Sequence, residues 1–237
     1  MSPRRPFPMR SSLKPLGYNV MMTRCAIVGD VHGDSSRLSS LLARHELQGR
    51  RLVFTGDLVN RGPDSRGVLE QLSSLKDAGL EIHLLLGNHE LLLLDYLRTG
   101  NFVRFAVNGG ISTIRSYVGS AYGDVHRQFV DCFPDGHRLL IEGAKPFFES
   151  DEILVTHAGI SLARPASRDV KDVVLGSHPE LFLADFDIGK LLVCGHYVQR
   201  AGAPFVRANF VCLDTGCGTN GGPLSAYLLP EKIFVSA

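Results

Sequence analysis

Leu52-Val53-Phe54-Thr55-Gly56-Asp57-Leu58-Val59-Asn60-Arg61-Gly62 is the stretch on which the fold turns. An apolar, β-branched run without helical spacing stops abruptly at Gly-Asp, as a buried strand opening into a loop does. The same arrangement lies on either side. Cys25–Val28 runs into Gly29-Asp30, and Ile82–Leu86 runs into Gly87-Asn88. Helical spacing fills the intervals. Leu38, Leu41 and Leu42 follow a cap at Ser35 or Ser36, and Val68, Leu72 and Leu75 follow a cap at Asp64 or Ser65, with Gly79 as the stop. Three β-α units in a row predict strands that each deliver a polar cluster at the C-terminal end, the edge where open α/β sheets bind ligands.

Outward from this core, the chain from Leu91 to about Ala144 reads as a helical insertion or cap, punctuated by Gly100, Gly109-Gly110, Gly119 and Pro134. The second half is β-rich. Strands are expected at Pro146–Glu149, Ile153–Thr156, Leu191–Cys194, Phe210–Leu213, Leu224–Leu229 and Ile233–Val235, with a loop over about Ser161–Asp187. The outcome is an α/β layered fold, two sheets face to face with helices outside. Residues 1–22 hold Pro3, Pro6, Pro8 and Pro15 among Arg and Lys. They read as a disordered tail or a mis-assigned start, with Met21-Met22 just before the first strand. Residues 23–237 read as one domain.

The bulk numbers narrow the classes. Hydrophobic residues make up 44% of the 237, enough for a sizeable core. The formal net charge of +1 offers no global field to draw nucleic acid or an anionic membrane, so attraction for a phosphate must be local. The five cysteines are odd in number and contain no CxxC pair, which argues against a disulfide framework or zinc knuckle and for reduced thiols in a cytoplasm. No apolar run approaches the roughly 20 residues of a membrane span.

Five polar clusters carry the chemistry: Gly29-Asp30-Val31-His32-Gly33, Gly56-Asp57-Leu58-Val59-Asn60-Arg61-Gly62, Gly87-Asn88-His89-Glu90, His157-Ala158-Gly159 and Gly195-His196. Their carboxylates, imidazoles and carboxamide are oxygen and nitrogen donors suited to Mn, Fe or Zn, with no thiolate among them. Singly, each is an ordinary turn or core histidine; in this order at strand ends they point to a metal site.

The set resembles the phosphoprotein phosphatase family of the calcineurin-like metallophosphoesterases, and the bacterial Ser/Thr protein phosphatases within it. Arg61-Gly62-Pro63-Asp64-Ser65-Arg66-Gly67-Val68, Asn108-Gly109-Gly110 and Leu213-Asp214-Thr215-Gly216-Cys217 agree with it. The resemblance implies the metallo-dependent phosphatase fold, two mixed sheets in a four-layer αββα sandwich. It implies two divalent ions, Mn first, with Asp30 and His32 on one, Asp57 bridging, and Asn88, His157 and His196 on the other. A hydroxide bridging the ions would attack phosphorus in line. Arg61 would clamp the phosphate, with Asn88 and His89 also facing substrate, and His89 would be the general acid. A bridging carboxylate suits two cations about 3.5–4 Å apart, and the guanidinium fork matches two phosphate oxygens.

Two positions depart from the pattern. Asn60 stands where the family has an Asp that keeps the catalytic His protonated, so His89 is expected to have a lower pKa and the reaction a more acidic optimum or weaker turnover. The second phosphate-binding Arg of a Trp-x-Arg stretch is missing. Val173-Val174-Leu175-Gly176 lies at the equivalent place, and Arg164 or Arg168 are the substitutes to test. Glu90 is expected to support the loop or cap a helix from Leu91, and Asp214 to pair with a ligand histidine or close a turn. His45, His83, His126, His137 and His178 fall outside the motifs. The leading expectation is a phosphomonoesterase acting on phosphorylated protein, favoured by Glu90 and Asn108-Gly109-Gly110. The alternatives are a dinucleoside-polyphosphate hydrolase, and a catalytically weak protein that binds phosphorylated partners.

Overall fold

The computed structural model describes residues 24–120 and 122–237, so the tail expected over 1–22 lies outside the described residues. The chain opens with β1 (Cys25–Val28), α1 (Ser35–Leu42), β2 (Arg51–Phe54), α2 (Ser65–Asp77) and β3 (Ile82–Leu84). Five helices follow: α3 (Asn88–Thr99), α4 (Phe102–Phe105), α5 (Ile111–Val118), α6 (Val125–Cys132) and α7 (Asp135–Glu142). The second half adds β4 (Phe147–Glu149), β5 (Ile153–Thr156), α8 (Val170–Val173), β6 (Leu191–Cys194), β7 (Phe205–Arg207), β8 (Phe210–Cys212), β9 (Ser225–Leu229) and β10 (Ile233–Ser236).

The strands form two five-stranded mixed sheets, ordered β10-β9-β1-β2-β3 and β4-β5-β6-β8-β7. β1, β2 and β3 are parallel, as are β5, β6 and β8, while β9 runs antiparallel to β1 and β10, β4 to β5, and β7 to β8. Alternation along buried strands builds the layers. Cys25 and Ile27 join Val53, Val155, Val193 and Val211 in the core between the sheets. Ala26, Val28 and Phe54 instead face the helices, packing with Leu38, Leu69 and Leu93. Full burial of one such Leu, Ile or Val contributes roughly 1.5–3 kcal/mol.

The chain order of elements matches the sequence reading, with local differences. Asp34, not Ser35 or Ser36, caps α1: its Oδ1 accepts from Arg37 N at 3.0 Å, while Ser35 Oγ donates to Asp64 Oδ2 at 2.6 Å. Asp64 caps α2 through Gly67 N at 2.8 Å. α3 starts at Asn88 rather than Leu91, so Asn88, His89 and Glu90 form its first turn. The helical stretch expected over 91–144 is continuous with the first sheet's outer core, where Tyr96 stacks on Phe105 at 4.6 Å. It extends the helical layer sideways through contacts of α5 and α7 with α2. The loop expected over 161–187 contains α8 and a 3₁₀ turn at Pro179–Phe182, whose Val173 and Leu181 cover the outer face of the second sheet. β7, an antiparallel edge strand, was not foreseen. Among the described residues no helix is long and apolar enough to cross a membrane.

Candidate metal centre

The parallel strands of both sheets end on one side, and their loops converge there. The backbone is strained where they meet. Among the described residues, six non-glycine residues have positive φ, and five of them are His32, Asp57, Asn60, Arg61 and His196. Left-handed backbone at side-chain-bearing residues persists only when surrounding contacts enforce it, and such strain gathers at functional sites.

Glu90 supplies much of that enforcement. Its buried carboxylate accepts from Asp57 N at 2.7 Å, Leu58 N at 2.8 Å, Val59 N at 3.3 Å and Gly87 N at 2.9 Å. It therefore ties the β2 loop to the start of α3, rather than only capping a helix. Arg61 is seated by its own N–H on Gly109 O at 3.0 Å. A Cβ on Gly109, whose φ is +83°, would lie 2.7 Å from the Arg61 side chain, so that close approach requires glycine.

Asp57 lies at the centre. Its Oδ2 is 3.6 Å from His32 Nε2 and 3.9 Å from His89 Nε2, and its Oδ1 is 3.4 Å from His157 Nε2. Two groups of potential ligands share it: His32, Asp57 and His89, and Asp57, His157 and His196, each with ligand atoms within 4.8 Å of one another. Asn88 joins the second group, its Oδ1 being 3.0 Å from His157 Nε2 and 3.1 Å from His196 Nδ1. Asp30 stands just outside both. Its Oδ1 accepts from Thr55 Oγ1 and its Oδ2 from His196 N, both at 2.9 Å.

The donor set fits divalent cations on the structure's own terms. His157 Nδ1 faces Thr55 O at 3.0 Å and His32 Nδ1 faces Val59 O at 3.3 Å; each carbonyl fixes a proton there and leaves Nε2 as a lone pair aimed into the pocket. His157 Nε2 and Asn88 Oδ1 are thus two lone-pair atoms at hydrogen-bond distance from each other. Burial pushes Asp30 well above the usual carboxylate range, with Asp214 and Asp57 adding to it. Burial does the same to Asp57, reinforced by Glu90. Burial holds His32, His157 and His196 below the ordinary imidazole value. Buried carboxylates that repel and neutral imidazoles that converge are relieved together by positive charge in their midst.

Residues 23–200 match the calcineurin-like phosphoesterase family. The chain belongs to that family. It is 35% identical over 66% of its length to a symmetrical bis(5'-nucleosyl)-tetraphosphatase of Klebsiella pneumoniae, a match that covers 52% of that protein. The chain thus spans about half the length of this curated relative. The asymmetrical bis(5'-nucleosyl)-tetraphosphatase PrpE of Oceanobacillus iheyensis is 26% identical over 89% of this chain and 90% of its own. A solved structure provisionally described as a diadenosine tetraphosphatase superposes with a TM-score of 0.61 at 23% identity, covering 92% of this chain and 94% of that one. A Saccharomyces cerevisiae protein serine/threonine phosphatase superposes with a TM-score of 0.51 at 13% identity, over 91% of this chain and 79% of that one. Both share the fold.

Beside the metal-ligand candidates, His89 is buried with Nε2 unpartnered and Nδ1 3.0 Å from Asn60 Nδ2. Asn60 is itself fixed by Thr113 Oγ1, which donates to its Oδ1 at 2.7 Å. Burial first, then the charge of Arg61, pulls His89 down to about 3. Arg61 Nη1 reaches His32 Nε2 at 2.8 Å.

The candidates for a second phosphate-binding arginine are not in the pocket. Arg164 pairs with Asp172 at 2.6 Å, and Arg168 makes a fork on Glu149 with both contacts at 3.0 Å. Val173 and Val174 are core. Two residues were missed by sequence reasoning. Thr55 serves Asp30 and His157 together; its position directly before Gly56-Asp57 was the available signal. Tyr197 donates from Oη to Ala158 O at 2.8 Å, accepts from His178 N at 2.7 Å and meets the His196 ring edge-on at 4.9 Å. Nothing in its spacing announced that role.

Proposed function

We propose that this chain is a hydrolase that cleaves the phosphoanhydride bonds of dinucleoside polyphosphates, with a pair of divalent cations, Mn²⁺ first, in the pocket. Asp30 and His32 would hold one cation, Asn88, His157 and His196 the other, with Asp57 between them. When bound, such cations polarise phosphoryl oxygens and an attacking water. The chain's own residues do the rest. Arg61, exposed at the pocket mouth, binds equatorial phosphate oxygens through its planar fork. His89 presents Nε2 as an N–H donor to the departing oxygen, because the amide of Asn60 occupies Nδ1. Glu90 holds the loop that aims Asp57.

The Asn60–His89 contact carries the choice of substrate. A neutral amide cannot keep an imidazolium charged, and burial opposes that charge as well. A serine or threonine alkoxide leaves badly without a proton. A phosphate leaves readily, since its second pKa is about 6. A neutral N–H donor thus suits an anhydride. The names of the tetraphosphatase relatives support the same reading, and the protein phosphatase expected from Glu90 and Asn108-Gly109-Gly110 gives way to it. Those residues have structural work here: Glu90 accepts loop N–H groups, and Gly109 makes room for Arg61.

The test is turnover by the Mn²⁺-loaded chain on diadenosine tetraphosphate beside a panel of phosphoserine and phosphothreonine peptides. Missing general-acid help is worth typically 10²–10⁴-fold, so kcat/KM should favour the dinucleotide by about 10²-fold or more. Peptides turned over faster would reverse the assignment.

A further inference from the structure

Three parallel strands in each sheet point their C-terminal ends at the pocket: β1, β2 and β3, and β5, β6 and β8. The loops after the first five lead to Asp30, Asp57, Asn88, His157 and His196. The loop after β8 leads to Asp214, which the proposed reaction does not use. Cys194 pairs with Cys212, and Leu213 N donates to Cys194 O at 2.8 Å, so Asp214 leaves β8 level with His196 leaving β6.

Asp214 is 1% exposed. Its Oδ1 accepts from Gly216 N at 3.0 Å, but its Oδ2 is buried with no partner. A buried acceptor left unmatched costs free energy, more so on a charged group. A turn role accounts for Oδ1 alone, and no ligand imidazole reaches Oδ2, so neither expectation from the sequence explains this oxygen.

The segment holding Asp214 is pressed on the loop of Asp30 and His32. A Cβ on Gly29 would lie 2.4 Å from Leu213 O, and one on Gly218 2.3 Å from His32 O. Cys217 Sγ lies 3.3 Å from Val31 O. Among charged neighbours, Asp214 acts most strongly on Asp30.

We propose that Asp214 supplies a third carboxylate to the cation centre, its free Oδ2 serving the cation at the Asp30–His32 end. This rests on the pocket being a divalent cation centre. Three buried carboxylates then face the ions, and the second sheet contributes an anion as well as imidazoles.

Calorimetric Mn²⁺ titration and metal-free thermal melts of the full wild-type chain and Asp214→Asn test the idea. The isosteric amide keeps an acceptor for Gly216 N and removes the free anionic oxygen. Wild type should bind two Mn²⁺. The variant should bind one of them about 10–100-fold more weakly, the range seen when groups supporting a metal site are removed. Its metal-free form should melt no lower than wild type, because a buried like charge is gone. Weakened binding with an undiminished metal-free melting temperature supports the proposal; every other combination overturns it. Should the variant fail to fold, Asp214→Ser is judged by the same criterion. A wild type that binds no Mn²⁺ sinks the cation centre itself, whereas equal binding by wild type and variant sinks only the role of Asp214.

Discussion

The two sheets reach the same pocket by different means. The first delivers its groups from three consecutive β-α units, through loops with positive φ at His32, Asp57, Asn60 and Arg61. Those loops crowd N–H groups together, and an anion, Glu90, gathers four of them. The second sheet delivers His157 and His196 from strands far apart in sequence. There a neutral phenol, Tyr197 beside His196, joins the two loops by donating to Ala158 O, and it accepts from His178 N as well. A loop that gathers converging donors and strained residues at Asp57, Asn60 and Arg61 calls for a carboxylate, whereas the loops of the second sheet, strained at His196 alone among these residues, need only a neutral bridge.

Asp57 is where the comparison is easiest to break. Asp57→Asn removes the charge that both sheets' ligand groups share. Mn²⁺ affinity should fall by more than about 100-fold, beyond the 10–100-fold expected for an outer partner, and turnover should drop to background. Calorimetry with manganese and an assay on diadenosine tetraphosphate would show it; retained binding of two ions would remove Asp57 from the centre. Next in size is Glu90→Ala, which leaves four buried N–H groups without an acceptor. It should cost about 3 kcal/mol or more in urea unfolding of the metal-free chain.

Asn60→Asp sharpens the chemical side. A carboxylate beside His89 raises that imidazole's pKa from about 3, so the proton-carrying form extends from strongly acid pH up to the raised value. Turnover of a phosphoserine peptide should rise about 10-fold within that window, with little change for the dinucleotide. A pH–rate profile identical to wild type would detach Asn60 from the reaction. Tyr197→Phe is the smallest, about 1 kcal/mol, with the loss appearing in urea unfolding. Should it match Glu90→Ala, the contrast between a charged and a neutral clamp is wrong.

Much of this was legible in the residues. Apolar runs stopping at Gly-Asp or Gly-Asn placed β1, β2 and β3 to within a residue or two, because β1, and β2 beyond Arg51, are buried and have no polar position until they leave the sheet. The five clusters named the residues that meet around Asp57. Other features left no trace. β7 is a three-residue edge strand with one exposed and two half-buried positions, so it shows neither a continuous apolar run nor clean alternation. α3 begins at Asn88 because Glu90 turns back onto the preceding loop, a long-range contact that spacing cannot show. Asp34 outcompeted the two serines as a cap since Ser35 was committed to Asp64.

By itself the sequence determined every described strand but β7, the order of the polar clusters and the departure at Asn60, since these depend on local pattern and residue type. Which side chains face which was decided only by the tertiary structure. The register of β6 against β8 sets Asp214 level with His196, and the packing of two sheets carries His157 to Asp57 across a hundred residues of chain. Such distances follow from how separate strands stack, and no local rule of the chain encodes them.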